Sequence, residues 1–321
     1  MRSIAILGNL CSSRSWPEDV KRTMFDFERG KIRLIRGGKY PTCHSVFIDD
    51  DIRAVIDPAS DEAKLLAIHR ERPIQVIINS HCHEDHFLFN SRFPDAALWV
   101  PSLEAAGFRG IDAFFDQFYE SGDIDDKTRA AWDTFFTDFV QYQPREPDRL
   151  LKDGEILVFG KTRGRVLHTP GHSPGHLSFH FPEEGVLYLA DQDLVKFGPY
   201  YGDKGSSIDD TIASLQRVAA IDVDVYLVAH GREGVIEGDP AHIQRYLDVI
   251  YTREERLLTL LASGPKNLDE ITAEGIIYGG RSLAAGAWEL TLSEKIMMDK
   301  HLQRLEGLRT VRQEDGYYHL A

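Results

Sequence analysis

Short apolar runs, each stopped by glycine, proline or a charged residue, set the rhythm of this chain. Ile32 to Ile35 alternates and breaks at Gly37-Gly38. Ser45 to Ile48 and Ile52 to Asp57 flank Asp49-Asp50-Asp51, a polar trio that suits a hairpin turn. Asp61 to Arg70 places Leu65, Leu66 and Ile68 at helical spacing, and Ile74 to Asn79 is β-branched and continuous, as a buried strand requires. Strand, helix and strand in that order predict a layered α/β fold. The β pattern returns at Glu155–Phe159, Gly164–His168, Leu177–Phe181, Val186–Ala190 and Val225–Ala229, with a short amphipathic helix expected over 209–220.

Between these halves, 111–119 and 128–142 read as helices carrying nine aromatic residues, from Phe114 to Tyr142, many of them three or four positions apart. This segment, about 103–145, is expected to be an insertion that forms plain core, a lid over a site, or a dimer face. Beyond it, 239–262 reads as one long helix broken at Gly264-Pro265. Helices over 268–273, capped by Asn267, and over 292–308 follow, then a hairpin that turns at Asp315-Gly316.

Composition narrows the function classes. A formal charge of −14 over 321 residues disfavours a nucleic-acid footprint, and in the C-terminal segment acidic residues slightly outnumber basic ones. Cys11, Cys43 and Cys82 are too few and too scattered for a disulfide framework, which points to the cytoplasm. The first eight residues lack the pattern of a secretion signal, and no apolar run approaches the roughly 20 residues of a membrane helix.

The chemistry concentrates at the ends of the apolar runs. Directly after the run 74–79 comes His81-Cys82-His83-Glu84-Asp85-His86. Imidazole and carboxylate are ligands for zinc, iron or manganese. On extended backbone His81 and His83 share one side, leaving Asp85 and His86 for a second position, so one segment can feed two adjacent metals. Alternation turns Cys82 away, as a buried thiol. His172 stands at the apex of a Pro170-Gly171 turn, Asp191 ends the strand 186–190, and His230 ends the strand 225–229. Five histidines and two aspartates suit a pair of metals with one carboxylate left to bridge. His168, His176 and His180 are expected to be strand residues or supports, and His44 a support or a substrate contact.

These marks, H-x-H-x-D-H at His81, His83, Asp85 and His86, then Pro170-Gly171-His172, Asp191 and His230-Gly231, resemble the metallo-β-lactamase superfamily over roughly 30–235. The resemblance implies a four-layer αββα sandwich over 1–247, with 248–321 as a small winged-helix-like domain that serves packing or dimerisation. It implies one metal on His81, His83 and His172, another on Asp85, His86 and His230, and Asp191 between them. Two divalent ions, zinc before iron or manganese, would then produce a bridging hydroxide that Asp85 orients. The expected activity is hydrolysis of a small ester, thioester, lactone or amide. Phosphodiester or RNA cleavage and an iron-dependent redox reaction are the alternatives. His83 stands where flavin-linked di-iron reductases carry Glu, which favours hydrolysis. Leu194 stands where acyl-homoserine lactonases carry Tyr, a place that Tyr200 or Tyr201 can take only if the loop folds back. No basic pattern matches the glutathione site of glyoxalase II-like thioesterases.

Overall fold

The computed structural model describes residues 24–120, 124–279 and 288–321. The amino-terminal residues used above to exclude a secretion signal, and Cys11, lie outside that range.

Seven strands form one sheet in sequence order: β1 (Phe27–Arg29), β2 (Ile32–Ile35), β3 (Ser45–Asp49), β4 (Arg53–Ile56), β5 (Val76–Ile78), β6 (Ala97–Pro101) and β7 (Arg149–Leu151). Helix α1 (Glu62–Glu71) crosses between β4 and β5, and the side chain of Asp61 caps its first turn. That crossover makes β4 and β5 parallel. The second sheet runs in the order β13-β12-β11-β10-β9-β8, with β8 (Ile156–Val158), β9 (Arg163–His168), β10 (Leu177–Phe181), β11 (Val186–Tyr188), β12 (Val225–Leu227) and β13 (Val235–Glu237). Its parallel pair is β11 with β12.

The sheets stack face to face, and the period of two along each strand decides what meets what. Val186, Tyr188 and Leu227 enter the central core shared with Val46, Phe47 and Ile77 of the first sheet. Their neighbours Leu187, Leu189, Tyr226 and Val228 point the other way, into a second core under α4 (Ile208–Ala219) and the first half of α5 (Pro240–Leu261). Helices thus cover the outer faces of two stacked sheets, giving the four layers of the αββα sandwich. Each sheet contributes the carboxyl ends of one parallel pair to the same edge of the sandwich, and ligand sites form beyond such ends.

The insertion forms α2 (Ile111–Phe118) and α3 (Asp126–Thr134). The helix expected to run to Tyr142 instead widens into a π-turn at Phe135–Val140 and ends at Gln141 in the left-handed region. Phe136 is buried against Phe87, Phe114 and Tyr142, and that packing outweighs regular helical spacing. Four of the nine aromatic residues, Phe114, Phe115, Phe118 and Phe136, are buried in the core, and Tyr119, Trp132, Phe135 and Tyr142 pack against it.

After α5 come α6 (Leu268–Glu274), α7 (Trp288–Gly307) and a hairpin of β14 (Val311–Glu314) and β15 (Tyr317–Leu320). Residues 247 and 248 both lie within α5. Ile243, Tyr246 and Ile250 belong to the core under the second sheet, while Leu257 and Leu261 join Ile271, Met298, Leu302 and Tyr318 in a third cluster. Met297 of α7 reaches the former and Met298 the latter, so the carboxyl-terminal elements are packed onto the sandwich. No helix among the described residues is long and apolar enough to cross a membrane. Because Leu302 is fully buried in the third cluster, Leu302→Ala is expected to cost about 2–5 kcal/mol, read as a lowered denaturant midpoint with the slope unchanged.

Candidate metal centre

Each strand end at the shared edge delivers a side chain. His81 follows β5, Asp191 follows β11, and His230 follows β12. The fourth contribution is the turn after β9, where Gly171 has φ +129° and a Cβ there would lie 2.4 Å from the Thr211 backbone nitrogen. Only glycine permits the approach of α4 that fixes the turn. His172 is carried at its apex.

The ligand-type atoms of the residues marked in the sequence fall into two groups, each within 4.8 Å of one another, His81, His83, His172 and Asp191, then Asp85, His86 and His230, and a third group, Asp191, Asp193 and His230, overlaps both. In the first, His81 Nε2, His83 Nδ1 and His172 Nε2 stand 2.9, 2.9 and 3.2 Å apart. Tetrahedral ligands about 2.0–2.1 Å from a zinc ion are separated by roughly 3.3 Å, so this triangle fits a divalent ion with little adjustment. Asp191 faces both groups. Its Oδ2 lies 3.3 Å from His172 Nε2 and 3.8 Å from His81 Nε2, whereas its Oδ1 lies 2.7 Å from His86 Nε2 and 3.3 Å from His230 Nε2. His230 Nε2 is also 3.4 Å from Asp85 Oδ2.

The donor set fits a cation by a second observation. His86 Nε2 and Asp191 Oδ1 are buried and, despite their 2.7 Å separation, neither makes a hydrogen bond of acceptable angle. Buried polar atoms are seldom left this way. Both lie where a shared cation would satisfy them.

The outward-facing atoms of the same side chains are partnered. His86 Nδ1 lies 3.0 Å from Asp57, which also accepts from the Ser80 amide and the Tyr188 hydroxyl. His83 Nε2 lies 2.9 Å from Asp203 Oδ2. The Asp191 amide donates to His176 Nε2 at 3.2 Å, and His176 Nδ1 donates in turn to the Thr169 carbonyl. His44 accepts from the Gly37 amide on Nδ1 and donates to the Gly231 carbonyl from Nε2, which holds the His230 loop. His176 and His44 are thus supports. His168 Nε2 meets the Pro174 carbonyl, within the Pro-Gly turn and outside both groups. Cys82 is fully buried with its sulfur against Gly107, turned away as alternation requires.

Three acids join the site without any mark in the sequence. Glu104 is fully buried and accepts from the Cys82 amide at 2.6 Å, the Ser173 hydroxyl at 2.6 Å and the Gly175 amide at 2.5 Å. One carboxylate thereby joins the loop of His81 to the turn of His172. Asp203 faces His83, and Asp193 Oδ1 accepts from the His230 amide at 2.8 Å. Tyr200 places its backbone carbonyl 3.3 Å from His172 Nδ1 and its hydroxyl 3.3 Å from Asp203. The loop after Asp191 does fold back, therefore, and brings Tyr200 rather than Leu194 to the site. Tyr201 is buried elsewhere, bonded to His301 and Arg253.

Electrostatics divide the imidazoles. Burial presses His172 down to about 3 and His176 to about 4, and holds His81 well below the usual range. Elsewhere burial is overcome. Asp203 lifts His83 to about 9, Asp191 and Asp193 lift His230 to about 10, and Asp191 raises His86. Asp191 itself is kept well below the carboxylate range, as His86, His230 and His172 outweigh its desolvation. Protons held on His86 and His230 by these carboxylates stand in the place of a metal charge.

A family model described as the metallo-beta-lactamase superfamily matches residues 40–230, more than half of the chain, and the chain belongs to that superfamily. It is a superfamily of hydrolases that use divalent metals, and the His/Asp cluster found here is able to bind them. Among curated relatives, an atrochrysone carboxyl ACP thioesterase of Pseudocercospora fijiensis is 30% identical over 174 residues, which is 51% of this chain and 48% of that protein. An acyl-coenzyme A thioesterase of Gallus gallus is 28% identical over 46% of this chain and 51% of that one. A hydroxyacylglutathione hydrolase of Thermosynechococcus vestitus is 29% identical over 43% of this chain and 42% of its own. The match spans about half of each relative or less. A metallo-beta-lactamase family protein from Thermus thermophilus has the same fold, with TM-score 0.67 and 22% identity, covering 90% of this chain and 98% of its own. So does a beta-lactamase domain protein from Burkholderia ambifaria, with TM-score 0.69 and 21% identity, covering 92% and 94%.

Two outcomes are expected. Ligand atoms must shed protons to coordinate, and carboxylates hold those of His83 and His230 up to about 9 and 10, so metal affinity should climb from neutral pH towards about pH 10 with proton release on binding. Calorimetry in buffers of different ionisation enthalpy reads both, and a pH-independent affinity would contradict the assignment. Glu104→Gln turns an amide NH₂ towards N–H donors and should weaken metal binding roughly 10- to 100-fold while the fold persists, measured by competition with a chromophoric chelator.

Proposed function

We propose that the protein is a dinuclear metal-dependent hydrolase acting on a small thioester or ester. The observation that carries this reading is Asp191, one of whose oxygens faces each ligand group. In this reading His81, His83 and His172 hold one ion and Asp85, His86 and His230 the other, with Asp191 between them. A divalent pair held there would supply Lewis acidity and a bound water whose pKa is lowered to about 7. The names of the relatives, two thioesterases and a hydroxyacylglutathione hydrolase, favour thioesters over lactones and amides.

The chain's own residues orient and shield. Asp203 fixes the ring of His83 so that Nδ1 faces inward, and His176 sets the backbone from which the Asp191 carboxylate projects. Asp85 is nearly buried at the floor of a cleft, placed to accept a hydrogen bond from the attacking water and to orient it. Water adds to the carbonyl carbon and the C–S or C–O bond breaks. The leaving sulfur or oxygen departs with a proton as a thiol or alcohol, and the acyl group departs as a carboxylic acid that ionises at neutral pH. Among the described residues neither cysteine serves as a nucleophile in this reading, since Cys82 and Cys43 are buried and burial raises both thiols, Cys43 to about 12.

The test compares an aryl thioester, an aryl ester and bis-nitrophenyl phosphate. Thioester turnover should vanish on chelation, return with added metal, and fall in Asp191→Ala by more than the roughly 10- to 100-fold that loss of a supporting residue costs. Elemental analysis of the variant should show metal lost. Turnover indifferent to chelation, or full metal content in Asp191→Ala, would refute the reading. Faster cleavage of the phosphodiester would move the protein to the nuclease alternative.

A further inference from the structure

The floor formed by Asp85, His172 and Asp191 opens into a cleft of about 340 Å³. With about 30 Å³ as one water's share of liquid volume, that is room for on the order of ten non-hydrogen atoms. Two sets of helices wall it. Phe118 of α2, Trp132 of α3, and Leu292 and Ile296 of α7 line it, along with Tyr119, Tyr200 and Ser293. The apolar wall begins at the centre itself, since the Phe118 ring lies 4.7 Å from that of His83.

Outside the ligand groups, the charged side chains among the described residues that line the cleft are acidic. Among the described residues that line it there is no lysine or arginine, while Glu84, Asp85, Asp191 and Asp203 all do. Of these, Asp85 and Asp191 belong to the ligand groups and Asp203 faces His83. Glu84 accepts from the Tyr40 hydroxyl at 2.6 Å. Beyond the ligand groups, an anionic group would meet Glu84 and Asp203 and lose its water with no lysine or arginine among the described lining residues to pair with it. An uncharged apolar group would gain by leaving water.

We propose that this cleft is the acyl subsite and that it selects a neutral, apolar acyl or aryl group of up to about ten non-hydrogen atoms. Phe118 and Trp132 set selectivity from the insertion, and Leu292 and Ile296 set it from the carboxyl-terminal segment, which thereby forms part of the site. The inference rests on the hydrolase reading above and adds the substrate class to it.

The test uses the full metal-loaded chain and thioesters sharing one leaving group, with acetyl, butyryl, hexanoyl, phenylacetyl and succinyl as acyl parts. From acetyl to hexanoyl, kcat/KM should rise about fourfold per methylene, and succinyl should fall at least about tenfold below butyryl. Ile296→Ala and, separately, Leu292→Ala should lower the hexanoyl-to-acetyl ratio. A flat chain-length profile, ratios unmoved in both variants, or succinyl matching butyryl would overturn the subsite while leaving the hydrolase reading intact. If no thioester is turned over, the hydrolase reading fails, and calorimetry then decides the subsite by itself. Neutral 4-phenyl-2-butanone should bind the metal-loaded protein and bind more weakly to Ile296→Ala. Absence of binding, or tighter binding of 3-phenylpropionate to an Ile296→Ala variant than of the ketone to the parent, would overturn it.

Discussion

The structure turns on the attraction between one buried carboxylate and the imidazoles packed around it. Asp191 lies within 4 Å of four imidazole nitrogens, those of His81, His86, His172 and His230. A carboxylate and several imidazoles removed from water are tolerable only when each polar atom has a partner. The protein satisfies outward ring atoms itself, through Asp57 at His86 and Asp203 at His83, while His176 and Glu104 hold the backbone of Asp191 and of Cys82. It leaves inward atoms such as His86 Nε2 without hydrogen bonds. The balance of charge is then completed by protons or by metal ions. Burial favours the neutral, coordinating form of His81 and His172, whereas neighbouring carboxylates favour the protonated form of His83, His86 and His230, whose protons an ion would displace.

That arrangement constrains the fold in return. Donor atoms about 3 Å apart cannot sit on mobile loops and still converge, so they are placed where strands end. The parallel pairs β4–β5 and β11–β12 give two such ends in each sheet. The Pro-Gly turn adds His172, and Glu104 ties that turn to the loop of His81. Residues from segments far apart in the chain are thereby held by backbone that is itself hydrogen-bonded.

The legible part of the site was the part with local context. His81 to His86 follows a continuous apolar run, and Asp191 and His230 each stand after another, so period and position announced them. Glu104, Asp193 and Asp203 carried no such signal. Glu104 stands among Leu103, Ala105 and Ala106, Asp193 two residues after Asp191, and Asp203 between Gly202 and Lys204, and the significance of each lies in a partner far along the chain, as with Asp203 and His83. The fold shows the same division. Most strands with apolar runs were readable, although β6 was not among those expected, whereas β1, β7 and β13 are three-residue strands with mixed burial that pairing alone defines. The π-turn at Phe135–Val140 also arises from tertiary packing of Phe136, which no local spacing encodes.

The two kinds of wall around the centre obey different tolerances. A ligand atom displaced by a fraction of an ångström loses its partner, and the strand ends supply that accuracy. An apolar wall has no such requirement, because hydrophobic association is non-directional and depends on the area removed from water. Helices of an insertion and of a carboxyl-terminal segment meet that looser demand. Phe114 and Phe118, four residues apart on α2, show how one helix does both things. Both are buried in the core and both also line the cleft. The stability of the insertion and the shape of the cleft therefore share the same side chains, so the cleft is as rigid as the core behind it. A change in the size or polarity of Leu292 or Ile296, on α7, would alter what the cleft admits without moving any atom that faces Asp191.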